Sequence, residues 1–554
     1  IILALCFGLL LLGIWSFKQL PIEPYPNISP LNIQVITQWS GRSTLEVERQ
    51  LTIPIETALA GVPEAQSFRS VSLFGLSVVT LQFKEGADSF KARTNVQQYL
   101  ASANLPTGVQ PNLSPDADAL GEVLRYRVES DRHDLITLKA YQDWDIYKLL
   151  KTVPGVADIS GFGGMVKQYQ VRPVPGKLQA YGVSLGQLVT ALANANANVG
   201  GDTVRNGEQR YVVRGVGLIQ TLDDIRNIVV AVNQGVPVRA GDVAEVTLGN
   251  APRLGQVQFD DKDETVEGIV LMRRGGNATE MLDRVKKRIS EINLSGLLPE
   301  GMKLVPFYDR QNLLDLTTHT VEHALFFGIS LVLAVLFIFL GNIRAAAAVA
   351  AVIPLALCVS FSGMHLFHVP ANLISLGAID FGLIVDAAVI VIENVMSKLE
   401  EGKQHLWPSI ISATSEVQRA MIFSTCIIIT AYSPLFIMGG VEGKIFHPMA
   451  MTMGLALMAS ILLALTFIPA ASSFLFRGDM AHHAPKFVTW LLRRYEPLLN
   501  KLLDQPRKVL AAALVAFGIA MVGAWHLGTS FLPTLDENNL WVRVTLPNTV
   551  DLAY

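Results

Sequence analysis

Apolar residues in this chain are clustered. Seven runs come close to or exceed the about 20 residues that a membrane-crossing helix needs: residues 1–17, 324–341, 345–367, 373–395, 420–438, 449–476 and 509–527. Between the first two runs, over 27–316, the pattern changes to short alternating stretches and amphipathic helices. Leu31–Trp39 alternates as a strand. Ser43-Thr44-Leu45-Glu46 has the spacing of a capping box and opens a helix that runs to about Ala60. Gln66–Val71 and Leu76–Phe83 read as strands across a turn at Phe74-Gly75, and Ser89–Ala103 as a helix. Strand, helix, hairpin, helix is a split βαβ, or ferredoxin-like, unit.

A second such unit is expected after it. Val123–Val128 is a strand, 137–152 a helix, and Ala157–Gly161 with Lys167–Arg172 a hairpin. The phrases Gly61-Val62-Pro63…Phe74-Gly75 and Gly155-Val156-Ala157…Phe162-Gly163 sit at matching places in the two units. An insertion at about 174–262 interrupts the second unit. Glu267–Met272, the helix 278–292 and Met302–Pro306 complete it.

The polar ends of the apolar runs set an orientation. Phe17-Lys18-Gln19-Leu20-Pro21 follows the first run without a small-residue cleavage site, which favours a retained span over a signal peptide. Lys398, Lys403 and Arg419 lie in the loop 396–419. Arg477, Lys486, Arg493, Arg494, Lys501, Arg507 and Lys508 lie in 477–508, and Arg344 in the short loop 342–344. The loop near 368–372 has no basic residue, and 439–447 has only Lys444. The basic loops are therefore expected on the cytoplasmic side, with 18–323 and the residues after 528 outside. The stretch 486–502 is amphipathic with a basic face. It reads as a helix on the inner membrane surface, the alternative being an ordinary cytoplasmic linker.

The phrases Gly13-Ile14-Trp15, Leu20-Pro21-Ile22-Glu23 and Asn32-Ile33-Gln34-Val35 return as Gly523-Ala524-Trp525, Leu532-Pro533-Thr534-Leu535-Asp536 and Leu540-Trp541-Val542-Arg543-Val544. This reads as one complete half of a repeat and the opening of a second copy, an arrangement common in transporters.

Composition narrows the class. Hydrophobic residues make up 51% and charged residues 16%, the latter well below the roughly 25% of soluble domains. A net charge of −3 gives no electrostatic footprint for nucleic acid. The three cysteines, Cys6, Cys358 and Cys426, all lie in apolar runs, which argues against a disulfide framework or a cysteine metal cage.

Against this background Asp380, Asp386 and Glu393 are the informative residues, because all three fall inside the run 373–395. A charged side chain at the bilayer centre costs about 2.5–3.5 kcal/mol on the mildest scale, and such groups usually mark an ion or proton path. On a helix, Asp386 and Glu393 lie within about 20° of one face and about 10 Å apart along the axis, while Asp380 lies about 120° round and about 9 Å from Asp386. The three form a slanted line, not a chelating cluster. Carboxylates close together in low dielectric have raised pKa values, which suits Asp386 as the main proton carrier, Asp380 as its coupled partner and Glu393 as a relay at the way in or out. Glu393, near the end of the run, has snorkelling to the interface as its other reading.

Two motifs now carry a resemblance. Asp380-Phe381-Gly382-Leu383-Ile384-Val385-Asp386-Ala387-Ala388-Val389, continuing to Glu393-Asn394, and Gly440-Val441-Glu442-Gly443-Lys444-Ile445-Phe446-His447-Pro448-Met449-Ala450 resemble the heavy-metal efflux branch of the resistance-nodulation-division (RND) transporters. The resemblance covers the whole chain, about the first half of a family member. The drug-exporting branch has two adjacent aspartates, whereas here Ala387 follows Asp386. An acidic residue at 380 is similar to exporters of divalent ions such as zinc, cobalt, nickel or cadmium.

The resemblance implies an α-helical transmembrane bundle with an α+β periplasmic domain. Its parts would be a first span (1–17), a first porter subdomain (27–118), a second (119–173 and 263–310) with an inserted docking module (174–262), spans two to six (324–476), an amphipathic connector (477–508), a seventh span (509–527) and the start of a second periplasmic domain (528–554). It further implies a proton antiporter of the bacterial inner membrane, not an enzyme. Such a protein works as a homotrimer with a periplasmic adaptor and an outer-membrane channel, has no cofactor, and carries metal as cargo. A lysine on a later span would complete the relay. The competing functions are a drug or amphiphile exporter of the same fold and a non-transporting receptor or scaffold. Ala387 with Asp380 speaks against the first, and the intramembrane carboxylates against the second.

Other signals are weaker. Asp380-Phe381-Gly382 spells a kinase motif, but no HRD loop accompanies it. Gly439-Gly440-Val441-Glu442-Gly443-Lys444-Ile445 has the wrong spacing for a Walker loop, and Ile445 stands where Ser or Thr is required. His365, His368 and the pair His482-His483 are sparse, and Met449, Met451, Met453 and Met458 read as bundle packing more than as soft ligands. For metal recognition outside, Glu122 in Ala119-Leu120-Gly121-Glu122-Val123 is the candidate ligand, with Asp116 and Asp118 before it. An exposed acidic loop is the alternative.

Overall fold

The structure is a computed structural model that describes all residues except 24–25, 119, 254, 261–263, 378–380, 401–405, 477–485, 529–539, 547–551 and 553–554. Asp380, Ala119, Lys403, Arg477, His482-His483 and the repeated phrase at 532–536 lie outside the described residues. The chain divides into two compact units: Ile1–Gly121, Arg273–Leu282 and Asp309–Trp541 form the first, and Glu122–Met272, Asp283–Tyr308 and Val542–Tyr554 the second.

The first unit holds the apolar helices α1 (Ile2–Gln19), α2 (Arg310–Leu340), α3 (Val352–Leu366), α4 (Phe381–Glu400), α5 (Leu406–Ala431), α6 (Gly440–Leu475) and α7 (Pro506–His526). Among the described residues, seven helical stretches are long and apolar enough to cross a membrane. Their packing follows from small residues. In hydrocarbon there is no hydrophobic drive between helices, so close van der Waals approach holds them together. A Cβ on Gly13 of α1 would lie 2.2 Å from the Cβ of Cys358 on α3, so only glycine permits this contact. Helix α6 buries Gly443, Ala450, Gly454, Ala456, Ala459, Ser460, Ala464 and Ala471 along its length. The Ser360 hydroxyl of α3 donates to the Thr452 carbonyl of α6 at 3.0 Å. The amphipathic stretch is a helix over Lys486–Leu503, and Phe487 meets Phe339 of α2 edge-on at 6.1 Å.

The first unit also contains a four-stranded sheet of β1 (Asn32–Gln38), β2 (Ala65–Leu73), β3 (Leu76–Phe83) and β4 (Pro111–Leu113), in the order β2-β3-β1-β4. Strict alternation in β3 buries Ser77, Val79, Leu81 and Phe83, and the three apolar ones join Ile33, Val35, Ile55, Leu59, Val96 and Leu100 in one core. The expected capping box forms. The Ser43 N–H donates to the Glu46 carboxylate at 3.0 Å, and Glu46 N–H donates back to the Ser43 hydroxyl at 3.4 Å. The helix it opens passes through a π turn at Glu48–Thr52 before ending at Leu59.

The second unit contains β5 (Glu122–Ser130), β6 (Val156–Gly163), β7 (Lys167–Pro173), β8 (Ala244–Asn250), β9 (Val266–Met272) and β10 (Met302–Asp309). Its four-stranded sheet runs β10-β5-β9-β6. In both sheets the first strand lies between the third and the fourth, and the second strand is at the edge beside the third. One expectation fails here: β6 and β7 do not form a hairpin. Strand β6 pairs antiparallel with β9, and β7 pairs with β8 over seven residues, from Lys167↔Asn250 to Pro173↔Ala244. Gly163 and Gly164 both have φ near +70°, and a Cβ on Gly163 would lie 2.2 Å from the Thr265 carbonyl oxygen. This glycine pair turns the chain off the sheet. The β7–β8 ladder then forms the two sides of the insertion. That module has a small core of its own, made of Val183, Leu188, Val238, Ala240, Val243 and Ala244. It also carries the fully exposed hairpin Val199–Asn206/Gln209–Gly215.

A charge is buried in the second sheet. Glu267 of β9 is 1% exposed. Arg125 Nη1 lies 3.3 Å from its Oε1, and its Oε2 has no hydrogen-bond partner among the described residues. Burial pushes the Glu267 carboxyl up, Arg125 partly offsets this, and Glu122 raises it further. A carboxyl whose pKa is higher folded than unfolded contributes stability that is complete below its unfolded value, near 4.5, and is lost as pH rises through its folded value. Glu267→Gln is therefore expected to remove that part of the fall in thermal stability above pH about 4.5. Melting curves of the detergent-solubilised protein against pH check this; a variant whose pH slope matches wild type contradicts it.

Candidate functional site

Backbone pairing ties the end of α1 to the segment that leads toward the carboxylate-bearing helix. Ile22–Glu23, just beyond α1, pairs in parallel with Ala371–Asn372, which is followed by a short helix over Leu373–Gly377. Asn372 is buried and closes a local box with Ser375: Ser375 N–H donates to Asn372 Oδ1 at 2.8 Å, and Asn372 N–H donates to the Ser375 hydroxyl at 3.2 Å. Glu23 lies in the same strand. Burial pushes its carboxyl up, the charge of Arg310 opposes this, and Asp118 adds to it. Arg310 donates to the Leu120 carbonyl. Sequence reasoning did not find Arg310, and it read Glu23 only as part of a repeated phrase, because both look like ordinary flanks of apolar runs.

Within α4 the burial pattern separates two faces. Ile384, Val385, Ala388, Val391, Ile392 and Val395 are buried in the bundle core. Gly382, Asp386, Ile390, Glu393 and Ser397 form an exposed stripe. Asp386 and Glu393 thus share one face, as their seven-residue spacing predicts. Three contacts fix this rotation of α4. The Ser460 hydroxyl of α6 donates to the Ile384 carbonyl, the Asn394 amide donates to the Ala413 carbonyl of α5 at 2.8 Å, and Lys398 pairs with Glu416 of α5 at 3.2 Å. The packed side of the helix is thereby committed to α5 and α6, and the carboxylate stripe lies on its exposed side. Sequence reasoning did not find Ser460, since a serine in an apolar run has no distinguishing pattern.

Glu122 opens β5 and is exposed, and Arg125 Nη2 lies 2.5 Å from its Oε2. A cation binding there competes with the guanidinium. Asp116 accepts from the Ser89 hydroxyl at 2.7 Å, and Asp118 accepts from the Asn27 amide and from the Leu120 N–H. Among the described residues no group of three or more His, Cys, Asp or Glu side chains is placed to hold a metal ion. His365 packs edge-on against Trp15 at 5.3 Å, and Met453 is buried in the bundle core, so both serve packing.

A family model described as the AcrB/AcrD/AcrF family matches residues 1–554. The cobalt-zinc-cadmium resistance protein CzcA of Cupriavidus metallidurans is 39% identical over 570 residues, covering 99% of this chain and 53% of that protein. Protein HelA of Legionella pneumophila is 40% identical over 549 residues, 96% of this chain and 52% of that one. A crystal structure of a heavy metal efflux pump superposes with a TM-score of 0.86 at 40% identity, covering 96% of this chain and 52% of the other. The chain thus spans about half the length of the relatives it matches. With apolar helices, two like-ordered sheets and a match along its whole length, the chain belongs to the AcrB/AcrD/AcrF family of resistance-nodulation-division transporters.

Proposed function

We propose that this chain forms part of a proton-driven inner-membrane transporter that exports divalent heavy-metal cations of the zinc, cobalt, nickel and cadmium class. The carrying observation is the stripe on α4, where Asp386 and Glu393 share one exposed face of an apolar helix. A carboxylate there is tolerable in a membrane only when it faces a polar interior or cycles through its neutral form. Asp386 loads and releases the proton, Asp380 titrates with it as a coupled pair, and Glu393 relays toward the membrane surface. The names of CzcA and of the nickel and cobalt resistance protein CnrA, 36% identical over 97% of this chain, support the metal class.

In this reading the seven apolar helices are spans and the two sheets are ferredoxin-like porter subdomains (27–118; 119–173 with 263–310). The module 174–262 docks partners, Lys486–Leu503 lies on the inner membrane surface, and Glu122 offers an oxygen to the passing metal once Arg125 lets go. The assembly is a homotrimer with a periplasmic adaptor and an outer-membrane channel. Carboxylate oxygen suits hard and borderline divalent ions better than soft monovalent ones.

Cells producing the protein with its partners are expected to gain tolerance to a divalent transition metal and not to dyes or detergents. Tolerance to dyes with unchanged metal tolerance favours the drug-exporter reading instead. Orientation is tested separately by single cysteines at positions 493 and 122. A membrane-impermeant thiol reagent applied outside should label position 122 and spare position 493; the reverse pattern contradicts the assigned topology.

A further inference from the structure

The glycine-rich motif that opens α6 has no part in the relay, yet its geometry is specific. Gly440 has φ +69°, and a Cβ on Gly443 would lie 2.3 Å from the Met438 carbonyl oxygen. Both positions need glycine, one for the turn and one for the close approach. The turn aims the tip of α6 at the first sheet. Lys444 Nζ donates to the carbonyls of Ser29 at 3.2 Å and Ile28 at 3.4 Å, and Gly440 N–H donates to the Glu85 carboxylate at 3.0 Å. Ile28 and Ser29 lead into β1, and Glu85 follows β3. These strands are antiparallel neighbours with Asn32 opposite Gln82, so the α6 tip grips one end of two adjacent strands.

The other end of this path is the relay helix. Ser460 lies 16 residues beyond Lys444, about 24 Å along α6, and donates to Ile384, two residues before Asp386. Between these contacts, Pro448 has no N–H to donate to the Lys444 carbonyl, which loosens α6 just below its tip. The bond from Ser360 to Thr452 ties the helix to α3 below that point.

We propose that Lys444 is a positioning residue that couples displacement of α4 and α6 to the first sheet. When protonation at Asp386 shifts α4, the Ser460 contact carries the shift into α6, and the Lys444 and Gly440 contacts pass it to the ends of β1 and β3. This rests on the proton-driven reading above. Its basis is a contiguous set of contacts from Ile384 through Ser460 and Lys444 to Ser29, and the coupling itself is what the variants test.

The test compares wild type, Lys444→Met and Lys444→Arg in proteoliposomes under an imposed pH gradient. Zinc uptake and zinc-dependent proton flux are both read, and melting temperatures are measured on the same preparations. Methionine keeps the stem and removes the donors. Lys444→Met should lower zinc turnover at least about tenfold with an unchanged half-saturating zinc concentration and an unchanged melting temperature, and Lys444→Arg should restore most of it. Wild-type turnover in Lys444→Met, no recovery in Lys444→Arg, or a loss that follows the melting temperature overturns the coupling role. Wild-type liposomes without zinc-dependent proton flux overturn the transport reading and this proposal with it.

Discussion

Carboxylates on an apolar helix constrain every neighbour of that helix. A charge in hydrocarbon costs several kcal/mol unless it faces a polar interior, so the rotation of α4 about its axis cannot be left loose. The structure fixes it from the opposite side. Ile384, Val385, Ala388, Val391 and Ile392 fill the bundle core, Ser460 of α6 donates to the Ile384 carbonyl, Asn394 donates across to α5, and Lys398 pairs with Glu416. The apolar face is thereby buried and the acidic stripe exposed. The backbone pairing of Ile22–Glu23 with Ala371–Asn372 ties the segment that leads toward that helix to the end of α1. Close packing through Gly13 against Cys358 then joins α1 to α3, and α3 is tied to α6 through Ser360 and Thr452.

How much of this was legible in the sequence depends on the range of the interaction. Periodicity alone places Asp386 and Glu393 on one face, because a helix has a fixed angle per residue. The capping box at Ser43 and Glu46 is equally local and forms as read. The repeated glycine phrases point to two like units, and both sheets have the same strand order. What was not legible is pairing across long separations. Strands β6 and β7 look like a hairpin because they are close in sequence, whereas β6 finds its partner in β9, after the insertion. A local pattern shows that a strand exists and which face is apolar, not which distant edge it will meet. The Lys444 contact is the extreme case, with donor and acceptor 416 positions apart in the sequence.

The acidic candidates divide in a similar way. Asp116 and Asp118 are absorbed by Ser89, Asn27 and the Leu120 N–H, so they shape the strand connection. Glu122 is held by Arg125, which also reaches the buried Glu267. Burial pushes the Glu267 carboxyl up, and Arg125 partly offsets this.

The central claim is that Asp386 carries the transported proton. Its most direct test is metal-dependent proton flux in proteoliposomes under an imposed pH gradient, measured for wild type and for Asp386→Asn. Asparagine keeps size and polarity but cannot cycle a proton, and the neutral side chain is what the membrane prefers, so folding should survive. The account predicts folded protein with flux reduced to the background of empty liposomes. Undiminished flux in Asp386→Asn contradicts it.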